Sequence, residues 1–110
     1  MHFTHANFQI LGYVGTIREV GKTLKVSVSK AETWKDNSGQ RMERTIWNTV
    51  TLFERTPGFA WIKDNLKVGD LVKIEGNVFD TSYEKDGQTH YDTTLAADTL
   101  FIIPTGKKAE

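Results

Sequence analysis

No cysteine occurs among the 110 residues. Disulfides and cysteine-ligated metals are thereby excluded, and the composition fits a reducing compartment, so a cytoplasmic location is expected. No apolar run approaches the ~18 residues that a membrane-spanning helix requires. The start, MHFTHANFQI, lacks the basic segment and apolar stretch of a secretion signal. Neither sign of charge is in excess, because fourteen Lys and Arg balance fourteen Asp and Glu. Attraction to a polyanion would have to arise from a local arrangement of charge. Repeats, low-complexity blocks and linkers are also missing. The length suits one domain with one core, expected over residues 1–104, with 105–110 as a short tail.

Catalytic signals are as sparse. His2 and His5 are three residues apart, His90 is distant, and no Cys or carboxylate stands at ligand spacing, so no metal site is expected. Ser27, Ser29, Ser38 and Ser82 lack the strand-turn-helix context of an activated nucleophile. GYVG and GTIREVG hold too few glycines for a phosphate-binding loop. Glu54, Asp70 and Glu75 sit among lysines, as surface carboxylates do. Neither an enzyme nor a cofactor is expected.

What is present is a succession of punctuated strands. FQILGYVGTIREV (8–20) is aliphatic, and its Gly12 and Gly15 suggest bends or bulges where a sheet curls. Gly21 and Lys22 read as a turn. TLKVSVSKAETW (23–34) alternates, with Leu24, Val26 and Val28 on one side and Lys25, Ser27 and Ser29 on the other. KDNSGQ (35–40) is a hairpin signal, and TIWNTVTLF (45–53) is a third strand. The period then changes. Within 55–70, Thr56 is a candidate N-cap, Pro57 a first helical residue and Gly69 a terminator, and Phe59, Ile62 and Leu66 share one helical face. Trp61 falls on the opposite face. LVKIEGNVF (71–79), a hairpin at EKDGQ (84–88) and YDTTLAADTLFII (91–103) complete the chain. A mainly all-β fold follows: a five-stranded barrel of the OB type, with one short helix between strands 3 and 4. A β-sandwich would need about seven strands and no helix at that point.

The third strand raises a question of parity. Ile46, Val50 and Leu52 take the core side with Asn48, which leaves Trp47 and Phe53 on a face otherwise made of threonine. Trp34 stands at the lip of the first hairpin and Tyr83 at the lip of the second. Single exposed aromatics are common and carry little meaning. Four placed along the middle strand and its flanking hairpins form a track on which successive bases can stack, whatever their sequence. Lys30, Lys35, Arg41 and Arg44 gather around the first hairpin, interrupted by Glu32, Asp36 and Glu43. Lys25 shares the outward parity of Trp47, and Lys85 neighbours Tyr83. These six are the candidate phosphate contacts. The same aromatics would also serve an OB module that binds a protein or an oligosaccharide, or an oligomer interface.

Three stretches carry a resemblance: AETWKDNSGQRMERTIWNTVTLF (31–53), LKVGDLVKIEGNV (66–78) and YEKDGQTHYDTT (83–94). With the aliphatic first strand they make most of residues 8–103 similar to the bacterial and phage single-stranded DNA-binding proteins. The resemblance implies an OB fold, sequence-tolerant binding of single-stranded DNA in replication, recombination or repair, and a homotetramer, with a dimer as the smaller alternative. It places the base-stacking positions at Trp34, Trp47, Phe53 and Tyr83, the residues that parity leaves outside the core. The chain departs from that family in four ways. Tyr83 stands where Trp is usual, and Asn48 where His often contributes to the subunit contact. The loop after the first strand is shortened to Val20-Gly21-Lys22. The long tail with an acidic, hydrophobic tip is missing after Lys107, Lys108 and Glu110, so tail-mediated recruitment of partners is not expected.

Overall fold

In the computed structural model, which describes residues 4–105, the alternation resolves into five strands and one helix. They are β1 (Asn7–Val20), β2 (Thr23–Lys35), β3 (Arg41–Leu52), α1 (Phe59–Asn65), β4 (Leu71–Lys85) and β5 (Gln88–Ile103). His2, Lys107, Lys108 and Glu110 lie outside the described residues. The strands close into a barrel in the order β1-β2-β3-β5-β4. All neighbours are antiparallel except β3 and β5, which touch in parallel at Thr51 and Ala96. With the helix between β3 and β4, this is the OB architecture that the strand count predicted.

Alternation fixes the core. Leu24, Val26 and Val28 of β2 are buried with Val50 and Leu52 of β3 and Val72 and Ile74 of β4. Val14, Ala97 and Leu100 join them, and Ile62 of α1 and Leu66, its C-cap, are buried in the same cluster. Each buried Val, Leu or Ile among them contributes roughly 1.5–3 kcal/mol relative to exposure. Three strands run further than the apolar pattern indicated: β3 starts at Arg41, β4 continues to Lys85 and β5 starts at Gln88. These extensions project past the barrel as two-stranded arms. They have no buried face, so burial writes no period-two signal into their sequence, and only cross-strand pairing marks them.

The turns follow their chemistry. Asp86 and Gly87 both have positive φ, 54° and 76°, the two-residue pattern that matches the twist of a β-hairpin. The β2–β3 loop is longer. There Asp36 Oδ1 accepts from the Ser38 amide, the Ser38 hydroxyl and the Gln40 amide. Those bonds, the Ser38 hydroxyl first, hold the Asp36 carboxyl below the usual carboxylate range. The expected bulge in β1 is also present, since register shifts between Val14 and Thr16, around Gly15.

The helix start differs from expectation. Thr56 is not the N-cap, and Pro57 is not in the helix. Gly58 caps a helix of seven residues with φ 76°. The Thr56 hydroxyl is used elsewhere: it is buried, donates to Ala97 O at 3.0 Å and accepts from the Phe53 amide at 3.1 Å. A threonine that ties the end of β3 to β5 has no hydroxyl left for a cap. Trp61, on the opposite helical face, is exposed.

Candidate nucleic-acid interface

Residues directly opposed on neighbouring strands share a face. Tyr13, Ser29 and Trp47 form one such row across β1, β2 and β3. Lys25, Thr51, Ala96 and Asn77 form another across β2, β3, β5 and β4. Both rows alternate with core residues and so mark the outside of the barrel.

Trp47 stands on this outer face, 55% exposed. Its ring leans across β2, because a Cβ built on Gly15 would collide with the indole carbons Cζ3 and Cη2. The missing side chain at 15 is the space in which the indole rests. Ser27 and Ser29 keep the surface beneath it low, and their hydroxyls bond to β1: Ser27 Oγ accepts from the Thr16 amide at 2.8 Å, and Ser29 Oγ donates to Tyr13 O at 3.2 Å.

Phe53 shares Trp47's parity but not its setting. The strand ends at Leu52, so Phe53 lies just beyond it and is half-buried. Thr51, between them on the same parity, is only 4% exposed. The closeness of β5 and the Lys25 side chain, whose Nζ donates to Thr51 Oγ1 at 2.9 Å, account for this. The Arg55 guanidinium carbon lies 5.0 Å from the centroid of the Phe53 ring, within cation–π range. Arg55 was not a candidate from sequence. Its position two residues after a candidate ring was the signal that could have found it.

Trp34 occupies the other face of the β2–β3 ribbon. It pairs with Met42 in the register that carries Val26 and Val28 into the core, but it lies beyond the barrel, where that face is open. Arg44 covers the ring at 5.6 Å. Arg44 also donates from Nε and Nη2 to Glu32 Oε2 at 3.3 and 3.2 Å, and Lys30 donates to Oε1 at 3.4 Å. The Arg44 bond is the largest influence holding the Glu32 carboxyl below its ordinary range. Two of the six candidate cations are thus tied to one carboxylate. Lys35 and Arg41 are opposed to each other on Trp47's face. Among the described residues, no carboxylate lies within ion-pair distance of them or of Lys85.

Tyr83, on the β4–β5 arm, stacks on His90 with centroids 5.2 Å apart and planes at 17°. One ring face is taken and the other is open. From sequence, His90 reads only as a distant third histidine in the metal-site argument. Counting equally outward from Asp86-Gly87 pairs it with Tyr83, and that was the available signal. The four candidate rings are not brought into mutual contact. Among the described residues, the one ring–ring stack that involves any of them is Tyr83 with His90.

Residues 9–103 match the model of the Single-strand binding protein family. A single-stranded DNA-binding protein of Neisseria meningitidis serogroup A is 42% identical over 69 residues, 60% of this chain and 38% of that protein. The matched region is thus well under half of the Neisseria protein. Single-stranded DNA-binding protein 1 of Xylella fastidiosa is 30% identical over 111 residues, 93% of this chain and 78% of that one. Among solved structures, the Plasmodium falciparum SSB in complex with ssDNA superposes with a TM-score of 0.74 at 16% identity, over 94% of this chain and 99% of that chain. A deletion mutant of the Thermus aquaticus single-stranded DNA-binding protein gives 0.72 at 21% identity, over 93% of this chain and 51% of that one. At these identities the structural likeness concerns the fold.

Proposed function

The chain belongs to the single-strand binding protein family, and from that premise we propose that it binds single-stranded DNA without regard to sequence. It acts by binding rather than by catalysis and serves replication, recombination or repair in the cytoplasm. The carrying observation is Trp47, a large ring held open to solvent on the outer barrel face over a gap left by glycine. Trp34, Phe53 and Tyr83 supply further π-faces, each apart from the others. Four stacked bases at about 1–3 kcal/mol each give a gross ~4–12 kcal/mol before ordering costs. Lys25, Lys30, Lys35, Arg41, Arg44 and Lys85 meet the phosphates, Lys35 and Arg41 most readily because they share the face of Trp47 and no carboxylate holds them.

The chain works as a homo-oligomer, a tetramer by family likeness. Leu11 and Phe101 are exposed on either side of Lys73, in one row across β1, β4 and β5. That apolar surface, away from the Trp47 ring, supports self-association.

Titration of intrinsic tryptophan fluorescence with oligothymidine tests the reading, with mass by light scattering alongside. Quenching that saturates, at an assembled mass, is expected. Unchanged fluorescence would turn the outer rings into interface residues, and equal affinity for an oligosaccharide would point to a sugar-binding module.

A further inference from the structure

Phe79 lies two residues beyond Asn77 on β4 and shares its outward parity with Thr81 and Tyr83. It is an aromatic ring 41% open to solvent, outside the core cluster, and no ring stack or cation covers it among the described residues. Its opposed residue is Thr94, and the Thr81 hydroxyl lies 3.2 Å from that of Thr94. The row between Phe79 and Tyr83 holds Thr81 opposed to Asp92, and Thr94 flanks Phe79, so the surface between the rings is made of short polar side chains. Four residues of strand separate the rings by about 13 Å. That is too far for them to stack on one another, and at about 3.4 Å per stacked base it leaves room for two or three bases between them.

Charge narrows what can be held there. Residues 79–94 carry one base, Lys85, against the acids Asp80, Glu84, Asp86 and Asp92. Asp80 and Glu84 are opposed to Thr93 and Thr89, on the face away from the rings, and Asp92 shares the ring face opposite Thr81. This arm cannot attract phosphates by net charge, yet it presents rings with a small polar floor between them. Resting on the single-stranded DNA reading above, we propose that Phe79 is a further base-stacking residue, and that Phe79, the Thr81–Thr94 floor and Tyr83 form a subsite that holds bases without pairing to phosphates. The ligand class is an unpaired nucleic-acid strand with its bases turned toward β4.

The test compares wild type with Phe79→Ala and Phe79→Leu, using oligothymidine and an abasic oligomer of equal length, over a range of salt. Phe79→Leu keeps an apolar side chain at the position but removes the π-face, and circular dichroism and thermal melting report folding of both variants. The expected result is a loss of oligothymidine affinity of roughly 5- to 150-fold, the equivalent of one stacked base. The slope of log affinity against log salt should be unchanged, and the abasic oligomer should not distinguish the proteins. A folded Phe79→Leu that binds oligothymidine as wild type does would overturn the proposal, as would an equal loss on the abasic oligomer. If Phe79→Ala does not fold, Phe79→Leu alone decides. Failure of the broader reading has a separate signature, because wild type itself would then leave oligothymidine unbound.

Discussion

The β2–β3 arm and the β4–β5 arm are both two-stranded ribbons that carry rings beyond the barrel, yet they offer a polyanion opposite terms. Residues 30–44 hold Lys30, Lys35, Arg41 and Arg44 against Glu32, Asp36 and Glu43, whereas residues 79–94 hold Lys85 against four acids. On the first arm a guanidinium covers Trp34, and a lysine and an arginine stand free of carboxylates on the face of Trp47. On the second, Tyr83 is backed by a histidine and Phe79 by threonine. The difference separates two kinds of binding energy. Phosphate contact falls steeply with salt, whereas stacking does not depend on counterion release. A protein of zero formal net charge can hold a polyanion in this way if its cations are concentrated on one arm while the other contributes rings.

The largest expected effect tests the ring on the barrel face at the base of the β2–β3 arm. Trp47→Ala should weaken oligothymidine binding by about 1–3 kcal/mol with the fold intact, because the ring lies outside the core. Val50→Ala, one strand-face away and fully buried, should do the reverse: it should cost stability through a cavity and leave binding per folded molecule alone. Thermal melting and fluorescence titration of both variants separate the outcomes. A Trp47→Ala that unfolds, or binds as tightly as wild type, removes the platform at the base of the β2–β3 arm. A smaller loss is expected from Gly15→Ala. Its Cβ would occupy the place of the indole, and the ring must shift to accommodate it. Binding should weaken by on the order of 1 kcal/mol, with a change in tryptophan emission before any DNA is added. Unaltered emission and affinity would show that the resting place of the ring is irrelevant to its use.

How far the sequence could be read follows from where burial acts. The barrel, the helix after the third strand and the exposure of Trp47 were all legible, because burial of Val50 and Leu52 imposes a parity that their neighbours must obey. Thr56 was misread because a capping residue and a residue that bridges two strands look alike until its partner, Ala97, is known. Phe53 followed the parity rule past the end of the strand, where the rule no longer holds. Arg55 lies past that strand end too, whereas Phe79 obeys the parity set by Val72, Ile74 and Val78, and its outward side was legible. On the arms and turns no buried face writes a pattern, so register and proximity have to be seen. The pairing of Glu32 with Lys30 and Arg44 is of that kind: the charges were visible in sequence, their partners were not.

That pairing supplies the next prediction. Glu32→Gln should free Lys30 and Arg44 for phosphate, raise oligothymidine affinity about two- to tenfold at low salt and steepen the salt slope. The sign of the pH effect follows from the Glu32 carboxyl lying below its usual range, chiefly through the Arg44 bond. With a lowered folded-state pKa, the ion pairs and their contribution to stability are in place above the ordinary carboxylate value. They are lost only as pH falls through the lowered one. Wild type and Glu32→Gln should therefore differ at neutral pH and converge in acid. Titrations of both proteins at the two pH extremes check this. A difference that persists unchanged in acid would mean that Glu32 acts through the shape of the arm rather than its charge.

The smallest effect is the most direct measure of the contrast between the arms. For single strands, log affinity falls against log salt by about 0.7 for each phosphate neutralised. Three or four engaged cations per subunit give a slope of roughly −2 to −3. Lys35 is exposed and faces Arg41 rather than a carboxylate, so its ammonium is available to a phosphate. Lys35→Ala should flatten the slope by up to about 0.7 and weaken all sequences alike. Lys85 projects from an arm whose four acids repel the backbone it would meet. Lys85→Ala should therefore flatten the slope by less than Lys35→Ala does. Measured side by side over the same salt range, equal changes would erase the electrostatic distinction between the arms, and a larger change for Lys85 would invert it. A residual affinity in high salt should survive both substitutions, because the rings that supply it carry no counterions to release.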